Sequence, residues 1–126
     1  VDTGLGNDKQ GRSVPLWNQR KDPFLDKLTA AGFPPDSIDT VLCTHLHVDH
    51  VGWNTTLTDG KWVPTFVNAN YVFGRTEFEH WRDHSDTPEH IAVFADSVKP
   101  IADAGKAGGG AGKQSHGVSC GLFALI

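Results

Sequence analysis

The segment that most constrains the fold is IDTVLCTHLHVDH, residues 38–50, in which a dense group of histidines and a carboxylate directly follows an apolar run. A near-continuous apolar run of this kind predicts a strand buried on both faces, as in sheets that have helices packed against them. The polar cluster then lies at the carboxyl end of the strand. Because burying such polar side chains in a strand is unfavourable, they are the first candidates for function.

A short helix is predicted ahead of this strand, over residues 23–31. Asp22 is placed to act as its N-cap, Pro23 suits the first helical position, and Gly32 is a typical stop signal. Residues 7–21 are polar and irregular, which predicts a loop.

The chain after the cluster also alternates between strands and helices. Asp59-Gly60 is a strong signal for a two-residue hairpin turn. The other predicted elements are a strand over 65–73, a helix over 75–84 and a helix over 87–105 that Pro100 should kink or break. Alternation of this kind indicates an α/β fold, and a length of 126 residues indicates one domain.

Composition narrows the possible partners. The chain is 38% hydrophobic with a formal net charge of −4, and no apolar run approaches the roughly 18 residues that a membrane-spanning helix needs. Its eleven basic residues are scattered, which gives no footprint for a nucleic-acid backbone. We therefore expect a small-molecule substrate, with neither nucleic acid nor a membrane as partner; the oligomeric state stays open.

The ends of the chain differ in character from its middle. The chain starts at Val1 in mid-pattern, so we expect that the true N-terminus is missing and that any targeting segment is out of view. The compartment is open, with the cytoplasm as default.

Cys43 lies in the apolar run and is interpreted as a small buried hydrophobe, which leaves the pairing of Cys120 and the redox compartment undecided. Residues 106–126 are rich in glycine and are predicted to be a disordered or non-native tail.

The cluster itself has the spacing of a metal site. Side chains two apart on an extended strand point to the same side, so His45 and His47 can present two imidazoles toward one point. If a helix begins at about Val48, Asp49 and His50 fall in its first turn and face the same region. Imidazole and carboxylate together favour zinc, iron or manganese over calcium or magnesium. The plainer alternative is a group of surface histidines on a turn.

The motif His-x-His-x-Asp-His in THLHVDHVGWN, with VDTG upstream, resembles the metallo-β-lactamase-fold hydrolases. The block from residue 30 to residue 54 is most similar to their lactonase and methyl-parathion-hydrolase branch. The resemblance covers residues 1–105 and implies an incomplete αββα sandwich, mainly its N-terminal half. It also implies a hydrolase of a small ester, lactone, thioester or phosphotriester that acts through a metal-bound hydroxide.

By the same resemblance, His45 and His47 bind a first metal, while Asp49 and His50 bind a second. Two zinc ions about 3.5–4 Å apart then share and activate a water, with iron or manganese as alternatives, and Asp49 has the catalytic role. Asp2 supports the ligand-bearing loop from behind the ligands.

The family's remaining ligands are a third histidine, a bridging aspartate and a last histidine, and no residue here is assigned to these roles. His116 is the only histidine after the last predicted helix, and the residues around it do not match the Gly-His-Thr-type turn of the family. We therefore expect weak metal binding and little or no turnover from this segment alone. An iron-dependent oxidoreductase and a non-catalytic metal-binding remnant are the alternative functions.

Several other residues are candidates for function. Trp53 and Asn54 follow the cluster and are candidates for the mouth of a substrate pocket, although core packing suits Trp53 equally well. Core packing is also favoured for Trp62 and Phe66. The remaining histidines of the helical region are interpreted as surface residues, namely His80, His84 and His90. Two further patterns resemble known signatures, but neither is the favoured interpretation. Asp2-Thr3-Gly4 resembles an aspartic-protease signature, and residues 107–114 resemble a phosphate-binding loop.

Overall fold

The computed structural model of this chain describes residues 1–106. Of the tail predicted over 106–126 only Lys106 is described, so the predictions for His116, Cys120 and residues 107–114 lie outside the described residues.

Strands and helices are mixed, as the α/β prediction requires, and the sheets are small. Strand β1 (Thr40–Leu42) pairs in parallel with β4 (Asn70–Val72), and β2 (Thr55–Thr58) pairs antiparallel with β3 (Lys61–Pro64). β1 corresponds to the central part of the predicted apolar strand. The strand predicted over 65–73 is wrong in extent, because the chain is irregular between β3 and β4 and only three of its residues pair with β1.

The predicted hairpin turn is confirmed. Asp59 and Gly60 both have positive φ, at 50° and 75°, and they connect β2 to β3 with Thr58 opposite Lys61. Positive φ at both central residues defines the tight turn whose twist matches that of the flanking strands, and Gly accepts it without steric cost.

Helix α1 (Phe24–Ala30) occupies the predicted place, but its start differs. Asp22 is not the N-cap; that position is taken by Pro23, and no side chain caps the helix. The Asp22 carboxylate instead pairs with the Arg20 guanidinium, which removes it from the free N–H groups of the first turn. Gly32 has a φ of 95° directly after the helix, as its role as stop signal requires.

The two C-terminal helical segments are confirmed, with Pro100 interrupting the second. They comprise α2 (Arg75–Asp83), α3 (Pro88–Val93), a π-helical stretch (Phe94–Val98) and α4 (Lys99–Asp103). Proline has no N–H to donate, and its ring crowds the preceding turn. The widened turn immediately before Pro100 accommodates both defects. Within residues 1–106, no helix has the length and apolar character that crossing a bilayer requires.

The core lies between the β1–β4 pair and the C-terminal helices. Its buried apolar members come from both parts of the fold and include Val41, Cys43, Leu46, Val51, Phe66, Tyr71, Phe78, Val98 and Ile101. Cys43 is buried and free, as interpreted from its place in the apolar run. Phe66 is also a core residue, which confirms the packing interpretation.

Tyr71 is fully buried, and its hydroxyl ties two loops together. The hydroxyl donates to the Asn54 carbonyl at 3.0 Å and accepts from the Phe66 N–H at 3.1 Å. Burial raises the pKa of Tyr71 to about 12, while the hydrogen bond from Phe66 opposes the shift. The ring is therefore held neutral well above the ordinary pKa of tyrosine.

This environment predicts how stability depends on pH. Because the unfolded chain loses the Tyr71 proton near pH 10 and the folded chain near pH 12, the stability that the neutral ring contributes is present below pH 10 and is lost as the pH rises through 12. Tyr71 is the only tyrosine in the sequence, so tyrosinate difference absorbance reports it alone. We expect a midpoint near 12 in the native chain and near 10 in denaturant; a native midpoint near 10 would contradict the buried environment.

Candidate metal centre

The histidine cluster forms a loop between β1 and the 3₁₀ turn Gly52–Asn54. The helix expected from about Val48 is absent: residues 48–50 form a turn in which His50 N–H donates to the His47 carbonyl at 3.0 Å.

The N-terminal segment supplies the reason for the missing helix. Thr3 N–H donates to the His50 carbonyl at 2.7 Å, Gly52 N–H donates to the Gly4 carbonyl at 2.7 Å, and Trp53 N–H donates to the Thr3 carbonyl at 3.1 Å. Backbone groups that a helix would pair internally are thus paired with residues 3 and 4, and the loop is held open.

The His45 imidazole lies against two others of the loop, those of His47 and His50. The ring centroids of His45 and His47 are 4.7 Å apart and those of His45 and His50 are 3.8 Å apart. Asp49 Oδ1 lies 3.4 Å from His50 Nε2. The fold therefore brings all four predicted ligands to one end of β1.

Asp2 lies behind this loop and contacts its backbone. Its Oδ1 accepts from Thr44 N–H at 2.8 Å, its carboxylate also accepts from the Thr44 hydroxyl, and its Oδ2 lies 3.1 Å from His50 Nδ1. Burial alone would raise the pKa of Asp2, but the hydrogen bonds from Thr44 and the neighbouring His50 outweigh it and lower that pKa. Asp2 is thus an anion placed to orient one imidazole of the cluster.

The donor chemistry of the loop fits a first-row divalent ion. Asp49 Oδ1 and His50 Nε2 lie 3.4 Å apart, and carboxylate oxygen and imidazole nitrogen are both ligand atoms that zinc accepts. His50 Nδ1 is buried and makes no hydrogen bond of good geometry, and it faces the carboxylate that commonly orients such a ligand. Across residues 1–106, however, no three His, Cys, Asp or Glu side chains are arranged to hold an ion together.

Three residues from the C-terminal helices also reach the loop, and sequence reasoning missed them. Glu77 Oε1 accepts from Leu46 N–H at 3.0 Å, the Trp81 ring centroid is 5.4 Å from that of His47, and the His90 ring lies 6.3 Å from His47 and nearly parallel to it. His90 is half-buried here, whereas His80 and His84 are exposed as expected. Only the four-residue spacing of Glu77 and Trp81 signalled that these two side chains share a helix face.

The two pocket candidates have different environments. Trp53 packs against Phe24 with ring centroids 5.3 Å apart, and both line a cavity of about 360 Å³ that also touches Asp2 and Lys27. Asn54 has no exposed surface; its Oδ1 accepts from the Thr3 hydroxyl at 2.9 Å. It therefore does not line this cavity, because its side chain is used inside the fold.

Trp62, for which the sequence favours core packing, is only half-buried and lies outside the apolar core, beneath a cation. The Lys9 ammonium lies 3.8 Å from the centre of its ring, which is contact distance for a cation–π interaction. This face of Trp62 is thus occupied by a residue of the chain itself.

The fold thus gathers three imidazoles and a carboxylate at the end of a strand, in a scaffold of mixed helices and strands. The sequence profile of the metallo-beta-lactamase superfamily matches residues 1–121. The chain belongs to this superfamily, whose members generally bind a divalent metal, often zinc. No curated protein matches the chain.

Proposed function

We propose that this chain carries the metal-binding half of a hydrolase that acts on a small ester, lactone, thioester or phosphotriester. The observation that supports this most is the contact among the three imidazoles of His45, His47 and His50 at the end of β1, in a chain of the metallo-beta-lactamase superfamily. The proposal includes the αββα sandwich as the parent architecture and the lactonase and parathion-hydrolase branch as the nearest type.

In this proposal His45 and His47 hold one ion, and Asp49 with His50 holds a second. Bound divalent ions of this kind polarise a substrate carbonyl or phosphoryl oxygen and lower the pKa of water. Asp2 keeps the His50 ring oriented through Nδ1, from which it lies 3.1 Å away, so that Nε2 faces Asp49. The fixed backbone of the loop supplies the preorganisation on which such a site depends.

The experiment is a hydrolysis panel on the metal-loaded 126-residue chain. We expect slow, metal-dependent hydrolysis of at least one of the four substrate classes, lost in His45→Ala and retained in His84→Ala, whose histidine is exposed at the C-cap of α2. Equal rates for the chain and for His45→Ala on all four classes would contradict the proposal.

The same samples separate the two alternatives, because imidazole and carboxylate ligands also suit iron. Stoichiometric iron with redox activity and no hydrolysis would identify an oxidoreductase. Metal binding that His45→Ala weakens without any measurable activity would identify a non-catalytic remnant.

A further inference from the structure

Helix α2 places one carboxylate against the backbone of residues 45–50, the metal-ligand loop of the proposed function. Glu77 Oε1 accepts from the Leu46 N–H at 3.0 Å and from Trp81 Nε1–H at 2.7 Å. A single oxygen therefore joins the loop to the helix that packs beside it. Bonds to an ionised acceptor are stronger than bonds between neutral groups.

The position of Leu46 makes this contact specific to the predicted ligands. Leu46 lies between His45 and His47 in sequence, and its side chain is buried in the core with 3% of its surface exposed. With the side chain packed and the amide bonded to Glu77, the residue between the two imidazoles is held from both sides. Rotation of this peptide would swing both rings.

The second partner of Glu77 completes the support. The Trp81 ring lies with its centroid 5.4 Å from that of His47 and 4.3 Å from that of His90, in edge-to-face arrangements with both. The hydrogen bond to Glu77 fixes the orientation of the indole, since Trp81 has this one polar group to anchor it. The His47 ring thus rests on an aromatic wall whose rotation Glu77 restricts.

We propose that Glu77 is a positioning residue for the metal-ligand loop, holding the Leu46 amide and the Trp81 indole so that His45 and His47 face the same ion. This inference rests on the proposed function, because it takes the loop to bind an ion. The two hydrogen bonds of Glu77, which we call the clamp, are testable without any metal.

The first test is amide hydrogen exchange by NMR on the metal-free chain. In Glu77→Ala we expect faster exchange of the Leu46 amide and a shifted Trp81 indole N–H resonance. Glu77→Gln keeps an oxygen acceptor at the same place and should retain most of the protection. Glu79→Ala, an exposed position on the same helix, is the matched control. An unchanged Leu46 exchange rate in Glu77→Ala would overturn the clamp whether or not the chain binds metal.

The second test is zinc affinity measured by chelator competition, together with the visible spectrum of the cobalt form. We expect Glu77→Ala to weaken zinc binding about 10-fold or more, as removal of groups that orient metal ligands commonly does, and to change the cobalt spectrum. Glu77→Gln should stay close to the unmodified chain, and Glu79→Ala should match it. Equal losses in Glu77→Ala and Glu77→Gln would overturn the role assigned to the acceptor oxygen.

A third variant covers the case in which Glu77→Ala fails to fold. Trp81→Phe keeps a ring beside His47 and removes only the indole N–H, so we expect a smaller loss of affinity with the fold intact. Unchanged affinity and an unchanged cobalt spectrum in Trp81→Phe would then overturn the proposal. If the unmodified chain binds no zinc, the proposed function fails, while Leu46 exchange still decides whether the clamp exists.

Discussion

Replacing Gly52 with alanine is expected to lower the free energy of unfolding by about 3 kcal/mol or more, because overpacking against rigid backbone leaves no low-energy adjustment. A β-carbon on Gly52 would lie 2.0 Å from the Leu5 carbonyl carbon and 2.3 Å from Gly6 N. Both neighbours are main-chain atoms, so the N-terminal segment itself would have to move. The hydrogen bond from Gly52 N–H to the Gly4 carbonyl, 2.7 Å long, would be lost with it.

The displacement should also reach the proposed metal-ligand loop, since the same N-terminal segment carries Asp2. Chemical denaturation gives the stability change, and Gly74→Ala is the matched control: Gly74 has a φ of −62° and a β-carbon there would lie 3.6 Å from Glu77 Cβ, an ordinary contact. We expect Gly74→Ala to cost less than about 1 kcal/mol. If both variants unfold at the same denaturant concentration, the close approach of the two backbone segments is wrong.

The second large effect is expected from Asp96→Ala, which removes the anion from a buried group of charges. Arg12 Nη2 donates to Asp96 Oδ1 at 2.9 Å, and Arg12 Nη1 lies 2.9 Å from Asp96 Oδ2. Asp96 Oδ1 also lies 3.6 Å from the Lys9 ammonium. Lys9 is fully buried and Arg12 nearly so. Burial lowers the pKa of Lys9 to about 8, and Asp96 opposes that shift. Without Asp96, the Arg12 guanidinium stays buried with no counter-charge, and the pKa of Lys9 falls further, so that Lys9 loses its charge more readily.

Breaking a buried charge pair by removing one partner typically costs about 3–5 kcal/mol, and we expect a loss in this range for Asp96→Ala. The matched control is Asp103→Ala, which removes the carboxylate from an exposed pair with Lys99 on α4. Exposed pairs contribute at most about 1 kcal/mol, so this variant should unfold close to the unmodified chain. If Asp96→Ala and Asp103→Ala lower the free energy of unfolding by similar amounts, removing Asp96 does not leave a costly unpaired charge in the interior.

Features governed by local chemistry were predictable from the sequence. The turn at Asp59-Gly60 follows from the positive φ that both residues tolerate, and the interruption before Pro100 follows from the missing N–H of proline. In both cases the interactions that decide the conformation lie within a few residues. His45 and His47 also lie close together, as their spacing predicts, but they do so in the loop after β1 and not on an extended strand.

Features decided by distant segments were not predictable in the same way. A helix from Val48 was a reasonable local expectation, but hydrogen bonds from residues 3 and 4 keep that segment in a turn. Asn54 was placed at a pocket mouth from its position in sequence, whereas Thr3 draws its side chain inward. Glu77 reaches the loop from a helix 31 residues further along the chain than Leu46, and no sequence pattern marks that contact.

Zinc affinity of the His47→Ala variant tests the central claim most directly, namely that the loop of residues 45–50 binds a divalent metal. Affinity is measured by chelator competition on the unmodified chain, on His47→Ala and on His80→Ala, whose histidine is exposed on α2. We predict that the unmodified chain and His80→Ala bind zinc equally, and that His47→Ala binds it at least about 10-fold more weakly, since a direct ligand matters no less than the groups that orient it. Zinc binding that is absent from the unmodified chain, or unchanged in His47→Ala, would contradict the claim.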